Sequence, residues 1–137
     1  MGKRKYFARK VETPYGKFDS QKEYERFLYL KSEENKGIIH DLQRQISFEI
    51  IPKLTKVIPK QLKTKIKYIE RVEEQAAKYT PDFCYHNHSG NFIIEEVKSE
   101  GTALARDYPL RRKLLKQIIA KHNKEVGYED WIFNEVK

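Results

Sequence analysis

The sequence is poor in cysteine and contains no long apolar run. Cys84 is the only cysteine among 137 residues, so the chain cannot form an internal disulfide, which is typical of proteins in a reducing compartment. Residues 1–5 lack the apolar core of a secretory signal. No stretch approaches the roughly 18 apolar residues that a membrane-spanning helix needs. These absences argue against a disulfide-stabilised secreted protein and a membrane protein, and we expect a cytoplasmic one.

Charge is abundant and mainly positive. Lysine and arginine total 28 against 20 aspartate and glutamate, which gives a formal net charge of +8. Basic residues are dense in residues 3–10, 53–67 and 106–124. Such a balance favours a polyanionic partner such as nucleic acid, and the alternative is a solvated basic surface. A chain of this length supports one domain, which we place at residues 1–137 with a basic N-terminal arm at residues 1–18.

The pattern of apolar residues predicts two helices and four main strand regions. Ser20 followed by Glu23 is a capping box that begins a helix ending near Gly37, and Pro109 opens a second helix that runs to about His122. The predicted strands are 46–51, the hairpin 79–98 with its turn at 87–91, and 128–136. Residues 53–64 read as a loop or ragged hairpin, the imperfect alternation of residues 65–72 is compatible with a further strand, and residues 73–78 have helical composition. The order α-β-β-β-α-β indicates an α/β fold with helices packed on a central mixed sheet.

The hairpin brings three charged residues toward one point. Strand side chains alternate between faces, so Glu96 and Lys98 point the same way, and the hairpin folds Asp82 back toward them. Two neighbouring carboxylates repel unless a cation lies between them, and such oxygen ligands suit Mg²⁺ or Mn²⁺. A lysine beside the ion can hold a phosphate or a hydroxide, as metal-assisted phosphodiester hydrolysis requires. The alternative is an exposed face of an edge strand.

Basic residues also cluster at the start of the second helix. Tyr108, Arg111, Arg112 and Lys113 lie in its first turns, where positive charge opposes the helix macrodipole. Phosphate binding accounts for them better, because a helix N-terminus favours an anion; a solvated helix face is the alternative. A second backbone-contacting arm is predicted at the N-terminus, formed by Lys3, Arg4, Lys5, Arg9 and Lys10.

The combination of Pro81-Asp82, a hairpin and Glu96-x-Lys98 resembles the signature of the PD-(D/E)XK nuclease superfamily, which has the restriction-endonuclease-like fold. The resemblance extends over roughly residues 5–135 to a small, largely phage-borne branch. The stretches that carry it are residues 18–23, 45–52, 79–83, 96–98 and 107–114. Residues 53–78 depart from it, because they look longer and more charged than the usual connection in that branch. We treat residues 53–78 as a variable insertion whose role is open.

The resemblance implies a metal-dependent DNA endonuclease with Mg²⁺ or Mn²⁺ as its cofactor. The expected substrate is duplex or branched DNA, including Holliday junctions and other recombination or replication intermediates of a phage, in the cytoplasm of the bacterial host. A junction resolvase would be a homodimer. The alternative from a different class is a nuclease-fold module that binds DNA or a protein without cutting. The intact set of Asp82, Glu96 and Lys98 argues against that alternative.

The resemblance also implies roles for single residues. Asp82 and Glu96 would hold the ion, with the Val97 carbonyl as a third protein ligand. Lys98 would orient or help to deprotonate the attacking water. Arg112 and Lys113 match a recurrent basic pair of the branch.

Two further catalytic candidates have plain structural alternatives. Glu23 matches a helix carboxylate that points at the metal or its water shell in many relatives, although the capping box alone explains a glutamate there. Gln45 matches a glutamine that lies beside the site, and its alternative is a satisfied polar group at the start of a strand.

Overall fold

The computed structural model describes residues 10–98 and 106–137. Within these ranges the chain is a mixed α/β protein in which strands predominate. In chain order the elements are β1 (Val11–Thr13), β2 (Gly16–Phe18), α1 (Gln21–Asn35), β3 (His40–Arg44), β4 (Phe48–Ile51), β5 (Leu54–Gln61), β6 (Ile66–Glu74), β7 (Ala77–Tyr79), β8 (Phe83–His86), β9 (Phe92–Val97), α2 (Tyr108–Val126) and β10 (Trp131–Val136).

The central sheet has four strands in the order β10-β9-β8-β3. β9 and β10 run parallel, whereas β8 is antiparallel to both β9 and β3. The expectation of a mixed sheet is therefore confirmed. The expected order α-β-β-β-α-β is incomplete, because β1, β2 and β3 are additional and the 53–78 segment contains strands of its own. β3 was not predicted as a strand because its residues are mostly polar and its pairing with β8 is irregular.

The two helices cover opposite faces of this sheet. Ile93 of β9 packs in one apolar cluster with Phe27 of α1. Ile94, the next residue, packs in a second cluster with Leu115 of α2. Because side chains alternate along a strand, every second residue of β9 points toward the same helix. Glu96 therefore shares the α2 side with Ile94.

The ends of the helices follow the sequence signals closely. The Ser20 hydroxyl accepts a hydrogen bond from the backbone N–H of Glu23 at 3.0 Å, as a capping residue does. The backbone after α1 reverses at Gly37, where φ is +77°. α2 extends four residues beyond the predicted end at His122 and stops before Gly127, which adopts the left-handed conformation that favours glycine.

The 53–78 segment is mostly a long antiparallel ribbon, so of the loop and the ragged hairpin that were expected for residues 53–64 the hairpin is the one present. β5 and β6 pair over their full length, from Leu54 opposite Glu74 to Gln61 opposite Ile66. Of the residues in these two strands, only Thr55, Ile58 and Ile69 are even partly buried. At its base the ribbon continues from β4 and β7, which also pair with each other. We call residues 54–74 the β5–β6 ribbon.

The N-terminal arm is described only in part. Residues 11–18 form a short hairpin of β1 and β2. Lys10 is exposed. Lys3, Arg4, Lys5 and Arg9 lie outside the described residues. Neither α1 nor α2 is both long and apolar enough to cross a membrane.

Candidate functional site

Asp82 and Glu96 meet where β8 begins and β9 ends. Phe83 lies opposite Glu95 in the register of the two strands, so Asp82 lies opposite Glu96. Asp82 Oδ2 accepts a hydrogen bond from the backbone N–H of Val97 at 2.8 Å, and the negative charge of the neighbouring Glu96 helps to raise the pKa of Asp82. The hairpin thus brings the two carboxyl groups together and fixes one of them against the β9 backbone.

Glu23 brings a third carboxyl group to the same place from the first turn of α1. Its side chain is 2% exposed. One oxygen, Oε1, accepts from the backbone N–H of Asp19 at 3.1 Å. The other, Oε2, has no hydrogen-bond partner among the described residues, and the nearest cation is Arg44 Nη2 at 3.9 Å. Carboxylate oxygens of Asp19, Glu23 and Asp82 all lie within 4.8 Å of one another.

Burial makes negative charge costly at the carboxyl groups of Glu23, Asp82 and Glu96. It raises the pKa of Glu23 to about 7, and the negative charge of Asp82 adds to the effect. Burial also raises the pKa of Asp82, together with the charge of Glu96. It raises the pKa of Glu96 as well, although the Tyr79 hydroxyl acts in the opposite direction. Carboxyl groups crowded in this way repel one another when ionised, and a cation between them removes the repulsion.

The donor set fits a hard divalent cation. All of its atoms are carboxylate oxygens, which Mg²⁺ and Mn²⁺ prefer over softer ligands. A buried polar atom without a hydrogen-bond partner is costly, and Glu23 Oε2 is such an atom. A cation held by Glu23, Asp82 and Glu96 would satisfy it.

Hydrogen bonds and one aromatic ring contact connect Glu96 to the start of α2. The Tyr79 hydroxyl donates to Glu96 Oε1 at 2.8 Å, and the Tyr79 and Tyr108 rings lie 6.3 Å apart. The Tyr108 hydroxyl donates to Glu135 of β10, which also accepts from Arg112 Nη1 at 2.9 Å. These two hydrogen bonds lower the pKa of Glu135. Tyr108 is buried, so it acts within this set of contacts and does not form a surface contact.

Lys98 lies directly after β9 and is half-buried. Its backbone N–H donates to the Val136 carbonyl at 2.7 Å, and its own carbonyl accepts from Lys22 Nζ at 2.8 Å. The positive charge of Lys98 adds to the lowering of the Glu135 pKa. The ammonium group therefore lies on the side of the sheet where β9 and β10 end.

The other basic candidates at α2 differ in their surroundings. Arg111 donates to the Lys78 carbonyl and lies with its guanidinium carbon 5.7 Å from the centre of the Tyr79 ring. It also lies 3.4 Å from Asp107. Lys113 is exposed. Arg111 thus borders the carboxyl groups through Tyr79, whereas Lys113 faces solvent.

Gln45 lies beside the site through its backbone. Its N–H donates to the Asp82 carbonyl at 3.3 Å, and its φ of +56° is unusual for a residue other than glycine. The Gln45 residue is exposed overall. The preceding residue, Arg44, is the nearest cation to Glu23 Oε2, and its guanidinium lies 3.7 Å from the Phe18 ring centre. Sequence reasoning did not identify Arg44.

Glu95 is the charged residue that the sequence reasoning missed most clearly. It is fully buried and accepts two hydrogen bonds from Arg26, at 2.7 and 2.9 Å. The Tyr85 hydroxyl at 2.8 Å and the Asn134 amide at 2.9 Å complete its partners. Two adjacent glutamates on β9 thus have different surroundings, since Glu95 is neutralised by an arginine and Glu96 is not. A glutamate within an apolar run signals that a buried partner is needed.

Comparison with known proteins identifies a family but no individual relative. No curated protein and no solved structure matches the chain. One family model matches residues 3–137, which is nearly the whole chain, and its description is a protein of unknown function, DUF1064. The chain therefore belongs to the DUF1064 family.

Proposed function

We propose that the protein is a metal-dependent DNA endonuclease with a restriction-endonuclease-like core. The observation that carries the proposal is the cluster of carboxylate oxygens from Asp19, Glu23 and Asp82, beside which Glu96 lies opposite Asp82 in the strand register. One buried oxygen of Glu23 has no hydrogen-bond partner among the described residues. Structural carboxylates at such depth are normally neutralised by a cation, as Glu95 is by Arg26. Among the described residues, the carboxyl groups of Glu23, Asp82 and Glu96 have no arginine or lysine as close as Arg26 is to Glu95. The cation beside Glu23 is Arg44, at 3.9 Å.

Glu23, Asp82 and Glu96 would hold a Mg²⁺ or Mn²⁺ ion, and the Val97 carbonyl is an additional proposed ligand. When bound, a divalent cation lowers the pKa of water and offsets the charge that develops on a phosphate. The protein supplies the positions of the ligands. Val97 N–H fixes one oxygen of Asp82 and Tyr79 fixes one oxygen of Glu96, so each carboxylate keeps its second oxygen for another ligand.

Lys98 is the proposed partner of the scissile phosphate. It follows Glu96 by two residues, directly after β9, and its positive charge acts on Glu135, so its ammonium would lie beside the carboxyl groups if the alternation of the strand continues. An ammonium there can orient the attacking water, accept or release a proton, and stabilise negative charge on phosphate oxygens. Arg111 and Lys113 on α2 would bind the DNA phosphates next to the scissile one, since both residues keep N–H donors for an anion. Gln45 would lie beside the metal site, since its backbone N–H donates to the Asp82 carbonyl.

The proposed substrate is DNA that is duplex or branched, and the net charge of +8 supports a polyanion of this kind. The preference for branched recombination or replication intermediates of a phage rests on the resemblance of the sequence motifs. Resolution of a four-way junction requires two cuts related by symmetry, so that version of the proposal includes a homodimer. A monomer at micromolar concentration would argue for nicking or trimming.

The test is a cleavage assay on labelled linear duplex, single strand, fork and four-way junction with Mg²⁺ or Mn²⁺. Asp82→Asn and Glu96→Gln remove one charge each at almost constant volume, so they separate chemistry from folding. Glu25→Gln is the matched control, because Glu25 is an exposed residue of α1. We expect metal-dependent cutting in the parent protein and the control but not in the two site variants. Tight binding of these substrates without any cutting would replace the proposal with a non-catalytic binding module.

A further inference from the structure

The β5–β6 ribbon extends from the body of the protein with both of its faces exposed. Strands of eight and nine residues at about 3.3 Å per residue are on the order of 30 Å long. An isolated two-stranded ribbon is marginally stable in water. Residues 53–74 contain seven lysine or arginine residues and only three glutamates. A long, basic, solvent-exposed ribbon is therefore a feature that a partner would explain.

The register separates the side chains of the ribbon into two faces of different character. Residues directly opposite each other share a face, and the residues next to them in each strand point to the other side. The basic face contains Lys56, Ile58, Lys60, Lys67, Ile69 and Arg71. The apolar face contains Thr55, Val57, Pro59, Gln61, Ile66, Tyr68, Glu70 and Val72.

The basic face places like charges directly opposite each other. Lys56 pairs with Arg71, and Lys60 pairs with Lys67. Like charges in such positions destabilise a strand pair. Only Lys56 has an acidic neighbour among the described residues, Glu73 at 3.6 Å. All four cations are exposed, so an anionic partner would remove the repulsion and could contact each of them.

We propose that the basic face of the β5–β6 ribbon binds the phosphate backbone of duplex DNA beside the bond that is cut. The major groove of B-DNA is about 12 Å wide and admits a two-stranded ribbon. The lysine and arginine side chains of the basic face can then reach the phosphates that line the groove. The charge pattern alone indicates a polyanion. The choice of DNA, and of a position beside the cut, rests on the proposed function.

The chain connection limits how far the ribbon reaches from the carboxyl groups. β7 ends at Tyr79, whose hydroxyl bonds to Glu96. Lys67 precedes Tyr79 by twelve residues, which can span at most about 40 Å. This corresponds to roughly 12 base pairs at 3.4 Å each. Lys67 also lies seven residues from the base of the ribbon at Glu74, which is roughly 23 Å along the strand. We therefore expect the Lys60–Lys67 pair to contribute to the binding of long duplexes more than to that of duplexes ending within a few base pairs of the cut.

The experiment compares the parent protein with the double variant Lys60→Gln/Lys67→Gln on a 30-base-pair duplex, in EDTA so that no cutting can occur. Replacing both cations of the opposed Lys60–Lys67 pair removes their repulsion, so the variant should fold. We expect its affinity at about 0.1 M salt to fall roughly tenfold, and the slope of log K against log salt to become shallower by about 2. On a duplex of about 8 base pairs, parent and variant should bind alike.

The matched control is Lys121→Gln/Lys124→Gln, which makes the same change of charge at exposed positions. These residues lie near the end of α2 where Asn123 bonds to Trp131. Trp131 begins β10 and Glu135 lies near its end, so this end of α2 is the one farther from the carboxyl groups. The control should change the affinity much less than the ribbon variant.

An unchanged affinity and salt slope in a folded ribbon variant would overturn the inference. If that variant instead aggregated with unchanged DNA affinity, the lysines would serve to protect the ribbon edges from pairing with other chains, and the inference would also fail. If the variant differed from the parent protein in its oligomeric state in solution but not in its DNA affinity, the face would be a protein contact and the inference would fail. Weaker binding by the variant in a protein that cuts nothing would support the ribbon inference while the proposed nuclease function fails.

Discussion

Replacing Glu23 by glutamine should make the metal-free protein more stable at pH 8, although it removes a proposed functional residue. Burial raises the pKa of the Glu23 carboxyl in the folded protein to about 7, from 4.5 as the ordinary value. The folded state therefore holds this proton more strongly than the unfolded state does. The wild-type protein consequently loses stability as the pH rises from about 4.5 to about 7, when the buried carboxyl ionises.

The size of the effect follows from the difference between the two pKa values. At about 1.36 kcal/mol for each pKa unit, ionised Glu23 lowers the free energy of unfolding by about 3 kcal/mol at pH 8. Glutamine avoids that cost and keeps the acceptor for Asp19 N–H, but its NH2 group replaces Oε2 beside the Arg44 guanidinium, which is itself a donor 3.9 Å away, and this costs about 1–2 kcal/mol. The net gain should be about 1–2 kcal/mol, or a few degrees in Tm for a domain of this size.

The assay is thermal and urea denaturation in EDTA at pH 5 and pH 8, with Glu25→Gln as the exposed control on the same helix. The control should remain within about 0.5 kcal/mol of the wild type at both pH values. At pH 5 the Glu23→Gln variant should be no more stable than the wild type, because the buried carboxyl is then protonated. A variant that is less stable than the wild type by the same amount at both pH values would refute the burial argument.

Three further predictions concern the same end of the sheet. Mg²⁺ should raise the Tm of the wild-type protein more at pH 8 than at pH 5. At one hundred times its Kd the gain in the free energy of unfolding should be near 2.7 kcal/mol, and Asp82→Asn should show little effect. Tyr79→Phe should move the acidic limb of the pH–rate profile to higher pH. The Tyr79 hydroxyl holds the pKa of Glu96 down, so its removal should raise that pKa; an unchanged profile would exclude this role. Glu95→Gln should reduce the urea-derived stability by about 3–5 kcal/mol, because it leaves a half-buried arginine unpaired; a loss below 1 kcal/mol would show that the ion pair contributes little.

The predictions that came closest to the structure depend on local chemistry. The capping residue Ser20 and the glycine after α1 are recognised from neighbouring residues alone, and both lie where expected. The alternation of β9 and the short turn of the hairpin fix which side chains share a face. The position of Asp82 opposite Glu96 follows from them. Glu23 has one oxygen that accepts a hydrogen bond near the helix start and a second one without a hydrogen-bond partner among the described residues; its role toward a metal stays a prediction.

The features that were missed depend on packing between distant segments. Tyr79 contacts Glu96 because β7 packs beside the sheet, and no spacing in the sequence encodes that contact. Glu95 requires Arg26 from a helix 69 residues earlier. For the first half of the β5–β6 ribbon the sequence left a loop and a ragged hairpin both open, because Pro59 and the many lysines are unusual for a strand. Only the pairing of its two halves makes the ribbon regular.

The most direct test of the central claim is to locate the metal. Crystals of the protein soaked in Mn²⁺ should give an anomalous-scattering peak with carboxylate oxygens of Glu23, Asp82 and Glu96 at about 2.1–2.2 Å. The same peak should be absent from crystals of Asp82→Asn. If ordered Mn²⁺ appears elsewhere while these three carboxyl groups remain without a bound ion, the account of the site is contradicted.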